Sequence, residues 1–273
     1  MSTPEKPESS RRAAVSVTFD NLGEVSDLAR GVWPEDEPLG RHFSVTRALP
    51  RLLDLLAATG LRATFFIEGV NAELYPDALR ELAAAGHEVA CHGWRHERWA
   101  ELSPSDERAL LERATRRMGE LGLAPVGFRP PGGSVSAASL GILRDLGFAY
   151  CSPAGEAVQS RDGMVLLPFR WPLIDAFHYL PHFGGLRQSV LGSSDVLAPS
   201  RLSEALAAAL EDVARRGGFL ALLFHPFLAE PEDRFQVIRE RLEHVRALVD
   251  DGAAWCAPCR EVAASVRAGA GPP

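Results

Sequence analysis

Lysine is almost missing from this chain of 273 residues: Lys6 is the only one, against an abundance of arginine. The imbalance reads as the codon bias of a GC-rich genome. It also removes the lysine that a phosphate-binding loop around Pro130-Pro131-Gly132-Gly133-Ser134 would need. Cysteine is sparse too, with four residues, too few for a disulfide scaffold in a chain this long. No apolar run reaches the roughly 20 residues of a membrane span; the longest, 217–227, contains His225. Excess positive charge is absent as well. The net charge is −7 and the arginines are interleaved with Asp and Glu, which argues against a nucleic-acid partner and suits a weakly charged substrate. Arg11-Arg12 has too few apolar residues behind it, 13–19, for an export signal, so the expected location is the cytoplasm.

What is present is an ordinary globular composition, 46% hydrophobic and 24% charged, able to bury a sizeable core. Residues 1–12 are polar and proline-bearing and read as a disordered tail; 13–268 read as one domain, with homo-oligomerisation left open. Short β-type runs alternate with helical patterns: strands at AAVSVTFD, RATFFIE, HEVACH, VGFRPP, FAYCS, VLLPFRW, FLALLF and AAWC. The helices fall near 45–58, 72–85, 104–121, 136–146, 200–215 and 234–250. Repeated βα units imply a parallel sheet, open or closed into a barrel. Ser103-Pro104-Ser105-Asp106 is a helix start signal and Pro199-Ser200 is expected to be another, while Gly60, Gly86, Gly147 and Gly252 sit where helix ends want a left-handed residue. Segments 21–44 and 174–198 break the alternation. They are long and rich in Gly and Pro, and are expected to frame a substrate cleft.

The stretch Trp255-Cys256-Ala257-Pro258-Cys259-Arg260 has the look of a thiol-disulfide active site. Such a site stands between the first main strand and helix of a domain, whereas here only 14 residues follow Cys259. The better reading makes AAWC the last strand and Pro258 part of the first turn of a closing helix. Cys91 and Cys151 lie in expected strands as small core residues.

Active residues of parallel α/β folds gather at the C-terminal ends of strands. That rule selects Asp20-Asn21, His92, Arg129 with Pro130, Pro131 and Gly132, and His225. His92 and His96 stand four apart, so a tight turn or helix lets both imidazoles reach one point, as a divalent cation requires. Two surface histidines share this spacing often enough that the pair alone is worth even odds; a carboxylate on the same rim favours a metal. Arg129 as a rim ion pair, Trp171 as core and His225 as a structural histidine are the plain alternatives. His178 and His182 lie in the second long segment, within reach of a substrate.

In this order VTFDN, CHGWRH, FRPPGG, FRWPLID and LLFHP resemble the five motifs of the polysaccharide deacetylases, the NodB-homology or carbohydrate esterase 4 family, over about 15–265. The insertion GEVSDLARGVWPEDEPLG resembles the intracellular peptidoglycan-deacetylase-like and allantoinase-like branch. The resemblance implies a distorted (β/α) barrel of about seven parallel strands with zinc, cobalt or a similar divalent ion on its rim. By the same resemblance Asp20 would be the general base, His225 the general acid and Arg129 the residue orienting the base. His92 and His96 would hold the metal, and Trp171 with Pro130, Pro131 and Gly132 would line the substrate pocket.

One residue departs from the family pattern, which has a second, metal-binding aspartate where this chain has Asn21. An amide oxygen can coordinate a cation but brings no charge, so metal affinity should fall. Three outcomes stay open: weak binding through Asn21, His92 and His96; Asp20 itself as ligand, with Glu24, Glu35, Asp36 or Glu37 as base; or hydrolysis without a metal, against which the retained histidines argue. The expected activity is metal-dependent hydrolysis of an amide C–N bond, a deacetylation of an N-acetylated sugar or small acylated metabolite. The alternatives are an allantoinase-like hydrolase of ureides or cyclic amides and a non-catalytic carbohydrate-binding barrel.

Overall fold

The computed structural model describes residues 12–269, so the expected N-terminal tail lies outside them except for Arg12. Nine strands among the described residues form one sheet: β1 (Ala13–Asp20), β2 (Ala63–Ile67), β3 (Glu88–Cys91), β4 (Gly127–Phe128), β5 (Tyr150–Cys151), β6 (Gln159–Arg161), β7 (Met164–Leu166), β8 (Gly218–Phe224) and β9 (Ala254–Cys256). Their order is β6-β7-β5-β4-β3-β2-β1-β8, with β9 also on β1. Every pairing is parallel except that of β6 with β7. A single bridge between Ile174 and Leu223 returns the chain after β7 to β8, and the sheet curls into a half-barrel.

Strand β1 shows why the curl is stable. Its odd residues Val15, Val17 and Phe19 pack into the outer core with Leu52, Leu56 and Phe65, and its even residues Ser16, Thr18 and Asp20 are polar yet buried. Buried polar groups need partners, and the inside of the curl supplies them. Ser16 Oγ donates to Ala257 O at 2.8 Å and Thr18 Oγ1 to Leu222 O at 2.9 Å. Below them the buried Glu88 carboxylate accepts from Thr64 Oγ1 (2.9 Å), Tyr150 Oη (3.0 Å) and Arg260 N (2.9 Å), which ties the closing helix Cys259–Arg267 across the bottom.

The outer helices form where amphipathic spacing places them. Leu49–Thr59 buries Leu49, Leu52, Leu55 and Leu56 and ends at Gly60, whose φ of 65° needs no Cβ. Ser103 Oγ accepts from Asp106 N at the start of Pro104–Glu120. The expected cap at Pro199-Ser200 differs: Pro199 opens Pro199–Arg216 after Ala198, with no side-chain cap. The two long segments carry short helices, Val25–Arg30, Asp175–Tyr179 and Gly184–Leu191. Buried side chains pin both. Glu24 Oε1 accepts from Gly40 N (2.6 Å) and Tyr75 Oη (2.7 Å), and Arg187 donates to the carbonyls of Phe177, Leu180 and Ser194. No described helix is long and apolar enough to cross a membrane.

Candidate active site

The sheet delivers its polar residues to one rim. Asp20 ends β1, His92 follows β3, Arg129 follows β4 and His225 follows β8. Between them lies a cavity of about 120 Å³ lined by Asp20, His92, His96, Arg129, Pro130, Gly132, Gly133, Phe169, Trp171, Ile174, Ala176, Phe183, Leu223 and His225. Eight of the expected site residues therefore meet; Pro131 and Asn21 do not line the space. Neither His178 nor His182 reaches it, and His178 Nε2 is engaged by Pro172 O at 2.9 Å. A wider, open groove of about 630 Å³ between Pro199–Arg216 and Glu232–Asp250 holds acids and serines but no imidazole or thiol, so size does not mark the chemistry here.

Each reactive side chain has a dedicated neighbour. Arg129 Nη1 donates to Asp20 Oδ1 at 2.6 Å and to Thr18 Oγ1 at 3.0 Å, while its Nε and Nη2 donate to Ser152 Oγ. Its guanidinium lies over the Phe66 ring, 4.0 Å from the centroid. The pair is buried, so the Asp20 carboxylate is fixed in direction and its charge is not left alone. On the other side Asp175 accepts His225 N at 2.7 Å and pairs with His225 Nδ1 at 2.5 Å. Burial opposes an imidazolium at His225, but the Asp175 charge and hydrogen bond outweigh it and its pKa is raised.

His92 and His96 come together through a turn, not a helix. Gly93 and His96 both take positive φ, 80° and 59°, and the two rings sit 5.1 Å apart at 63°. Glu97 fixes the turn by accepting Trp94 N and Arg95 N. Burial pushes both imidazoles down to about 3, with repulsion from His225 also acting on each, so both are neutral. His92 Nδ1 bonds Arg129 O at 2.8 Å and leaves Nε2 free. Neutral imidazoles held this way are the form that ligates a cation.

The profile of the polysaccharide deacetylase family matches residues 8–151. A Mycobacterium smegmatis structure solved as a candidate polysaccharide deacetylase is 30% identical, with a TM-score of 0.80 over 97% of this chain and 93% of that one. This chain belongs to the polysaccharide deacetylase family. Among curated proteins, a peptidoglycan deacetylase-like protein of Gibberella zeae is 29% identical over 53% of this chain and 44% of its own length. A chitin deacetylase of Colletotrichum lindemuthianum is 38% identical over 36% of this chain and 42% of its own. The chain thus spans less than half the length of these curated relatives.

Within this deacetylase-family site, Asn21 takes φ 62°, a conformation Asn tolerates better than most residues, and its Oδ1 is buried without a partner. Among the described residues no three His, Cys, Asp or Glu side chains form a metal cluster. The groups whose chemistry suits a divalent ion are the two neutral imidazoles and Asp20 on the cavity wall, with the unpaired Asn21 Oδ1 one residue beyond Asp20. Sequence reasoning misses Asp175, although it ends the quoted FRWPLID, because 50 residues separate it from His225. It also misses the Phe169, Phe183 and Leu223 walls and the buried Glu68. The deacetylase-family chain closes its bottom with AAWC as the last strand, as expected, while Pro258, expected in the first turn of the closing helix, instead caps it from just before Cys259–Arg267.

Proposed function

We propose that this chain is a metal-dependent hydrolase that removes a short acyl group from an N-acylated sugar or small acylated metabolite by cleaving its amide C–N bond. The observation that carries the reading is that Asp20, paired with Arg129, and His225, paired with Asp175, end the neighbouring strands β1 and β8 and line one cavity with the His92–His96 pair. A carboxylate and an imidazolium, each fixed by its own partner, can serve as base and acid. Zinc or cobalt, held by His92 and His96 with Asn21 or Asp20, would supply Lewis acidity toward the acyl oxygen and a water.

The residues do the rest. Asp20 takes a proton from the attacking water, and the oxygen adds to the acyl carbon. His225 then gives its proton to the amide nitrogen, the C–N bond breaks, and amine and carboxylic acid leave. Arg129 keeps Asp20 aimed and Asp175 keeps His225 charged. A volume of about 120 Å³ walled by Phe169, Trp171, Phe183 and Leu223 suits a two-carbon acyl group, leaving the amine-bearing portion at the mouth.

Release of acetate from N-acetylglucosamine, its oligomers and small N-acetyl amides, after chelator treatment and again with added zinc or cobalt, tests the reading. Acid release restored by metal and lowered about 10²–10⁴-fold in His225→Ala is expected. Full activity in Asp20→Asn, or no release from any substrate with metal supplied, would overturn it.

A further inference from the structure

We propose that Glu68 is a positioning residue of the metal site, supplying from just after β2 the carboxylate that Asn21, just after β1, does not carry, and lending its charge to a cation held by His92, His96 and Asn21. The inference rests on the metal-dependent reading above and adds to it a residue that the family motifs do not contain.

Strand β2 lies between the strands that carry the two halves of the site. Asp20 pairs in register with Phe66, and Asn21 N reaches Phe66 O at 3.4 Å. On its other edge His92 N donates to Ile67 O and Gly69 N to Gly93 O, each at 2.9 Å. Glu68 is the residue between these contacts, with Asn21-Leu22 on one side and His92-Gly93 on the other. It is fully buried. Asn71 Nδ2 bridges its Oε2 and Leu22 O, 3.0 Å to each, which fastens Glu68 to the loop carrying Asn21.

The unpaired atoms say what this corner is short of. Glu68 Oε1, Asn21 Oδ1 and Asn71 Oδ1 are all buried without a hydrogen-bond partner; the two amide oxygens are acceptors, and so is Glu68 Oε1 once the carboxyl is ionised. Lone buried acceptors are costly, and positive charge is what would relieve them. Of the other carboxylates nearby, Asp20 is engaged by Arg129 and Glu97 by the Trp94-Arg95 amides, while Glu24 is tied through Oε1 to the Gly40 and Arg41 amides and Tyr75 and keeps its own Oε2 unpaired. Burial and the Asp20 charge both oppose ionisation of Glu68, an opposition that a neighbouring cation would reverse. Since Glu68 is no part of a ready three-residue cluster with the histidines, its role is to support the ligands and balance charge.

The test uses the full chain, stripped with chelator and titrated with cobalt(II) chloride, read by the visible absorption of bound cobalt and by calorimetry. Glu68→Gln should weaken cobalt binding by about 10–100-fold, with far-UV circular dichroism unchanged. Glu68→Asp, which keeps the charge, should stay within several-fold of wild type and guards against a fold defect in the Gln variant. Asn21→Asp should recover most of the lost affinity in Glu68→Gln while gaining less in the wild-type background, because the two carboxylates serve one need. Equal affinity of wild type and Glu68→Gln, or no recovery on adding Asn21→Asp, would overturn the proposal alone. A wild-type chain that takes up no cobalt would instead overturn the metal-dependent reading, and this inference with it.

Discussion

His225 and Asp175 form a unit whose behaviour is set by a contest between burial and charge. Burial lowers the imidazole's affinity for a proton, and the Asp175 carboxylate wins it back. Removing that charge in Asp175→Asn leaves only the smaller pull of Asp20 against burial, so the pKa of His225 should fall. A general acid works only while protonated, so the alkaline limb of the kcat profile should move to lower pH in Asp175→Asn, with kcat reduced at neutral pH. An unmoved limb would mean that another group supplies the proton. Glu68 presents the opposite case, a carboxyl whose pKa is raised well above its ordinary value by burial and then by the Asp20 charge. A raised carboxyl favours the folded chain below the unfolded pKa and loses that contribution as pH rises through the folded one. In the metal-free chain Glu68→Gln should therefore be the more stable protein at pH 8, with the gap narrowing toward pH 5. Urea midpoints at the two pH values check this. A residue that costs stability in the resting chain is consistent with one kept for its site.

Strand ends decide what could be read from the sequence. The eight strands anticipated from apolar runs are present because each run is bounded by an amphipathic helix whose buried face must cover it, as Leu49–Thr59 covers β1 and β2. The four strand-end groups of the site, Asp20, His92, Arg129 and His225, were legible for the same reason: a polar residue at the end of such a run is carried to the rim. Legibility stops where pairing is non-local or the strand is nearly bare. β6 is three exposed polar residues, so neither period nor hydropathy marks it; Asp162-Gly163, both at positive φ, was the available signal for its hairpin with β7. Glu68 follows a strand just as a solvent-facing residue would, and only the neighbouring loops bury it. β4 has two residues, and its first, Gly127, lies against β5. A Cβ added there would meet Tyr150 Cζ at 2.0 Å, and the Tyr150 ring is fully buried with its hydroxyl on Glu88. Gly127→Ala should thus cost about 1–3 kcal/mol by overpacking and disturb Arg129 two residues on. Thermal unfolding read beside kcat would show both losses together; a variant as stable as wild type would mean that Tyr150 has room the packing does not reveal.

Across the whole molecule the thiols report on the closure of the sheet. All four cysteines are free, and Cys91, Cys151 and Cys259 are buried. Burial pushes Cys91 and Cys256 up to about 12 and Cys259 up to about 11, and raises Cys151 further. A thiol attacks as its thiolate, so the Trp255–Arg260 stretch lacks the depressed pKa that thiol-disulfide exchange needs. Cys259 N donates instead to Thr64 Oγ1 at 2.8 Å, and β9 pairs with the start of β1, placing the cysteine pair at the end of the sheet opposite Asp20. Exposing these sulfurs means lifting the closing helix from Glu88 and Thr64, which opens the bottom of the curled sheet. With Ellman's reagent at pH 8 the native chain should react slowly, at a rate that follows global unfolding as urea is added, while guanidinium chloride releases four thiols at once. Two thiols reacting rapidly in the native chain, together with insulin-reducing activity that disappears in Cys256→Ser, would restore the redox reading and show that the bottom of the sheet is open.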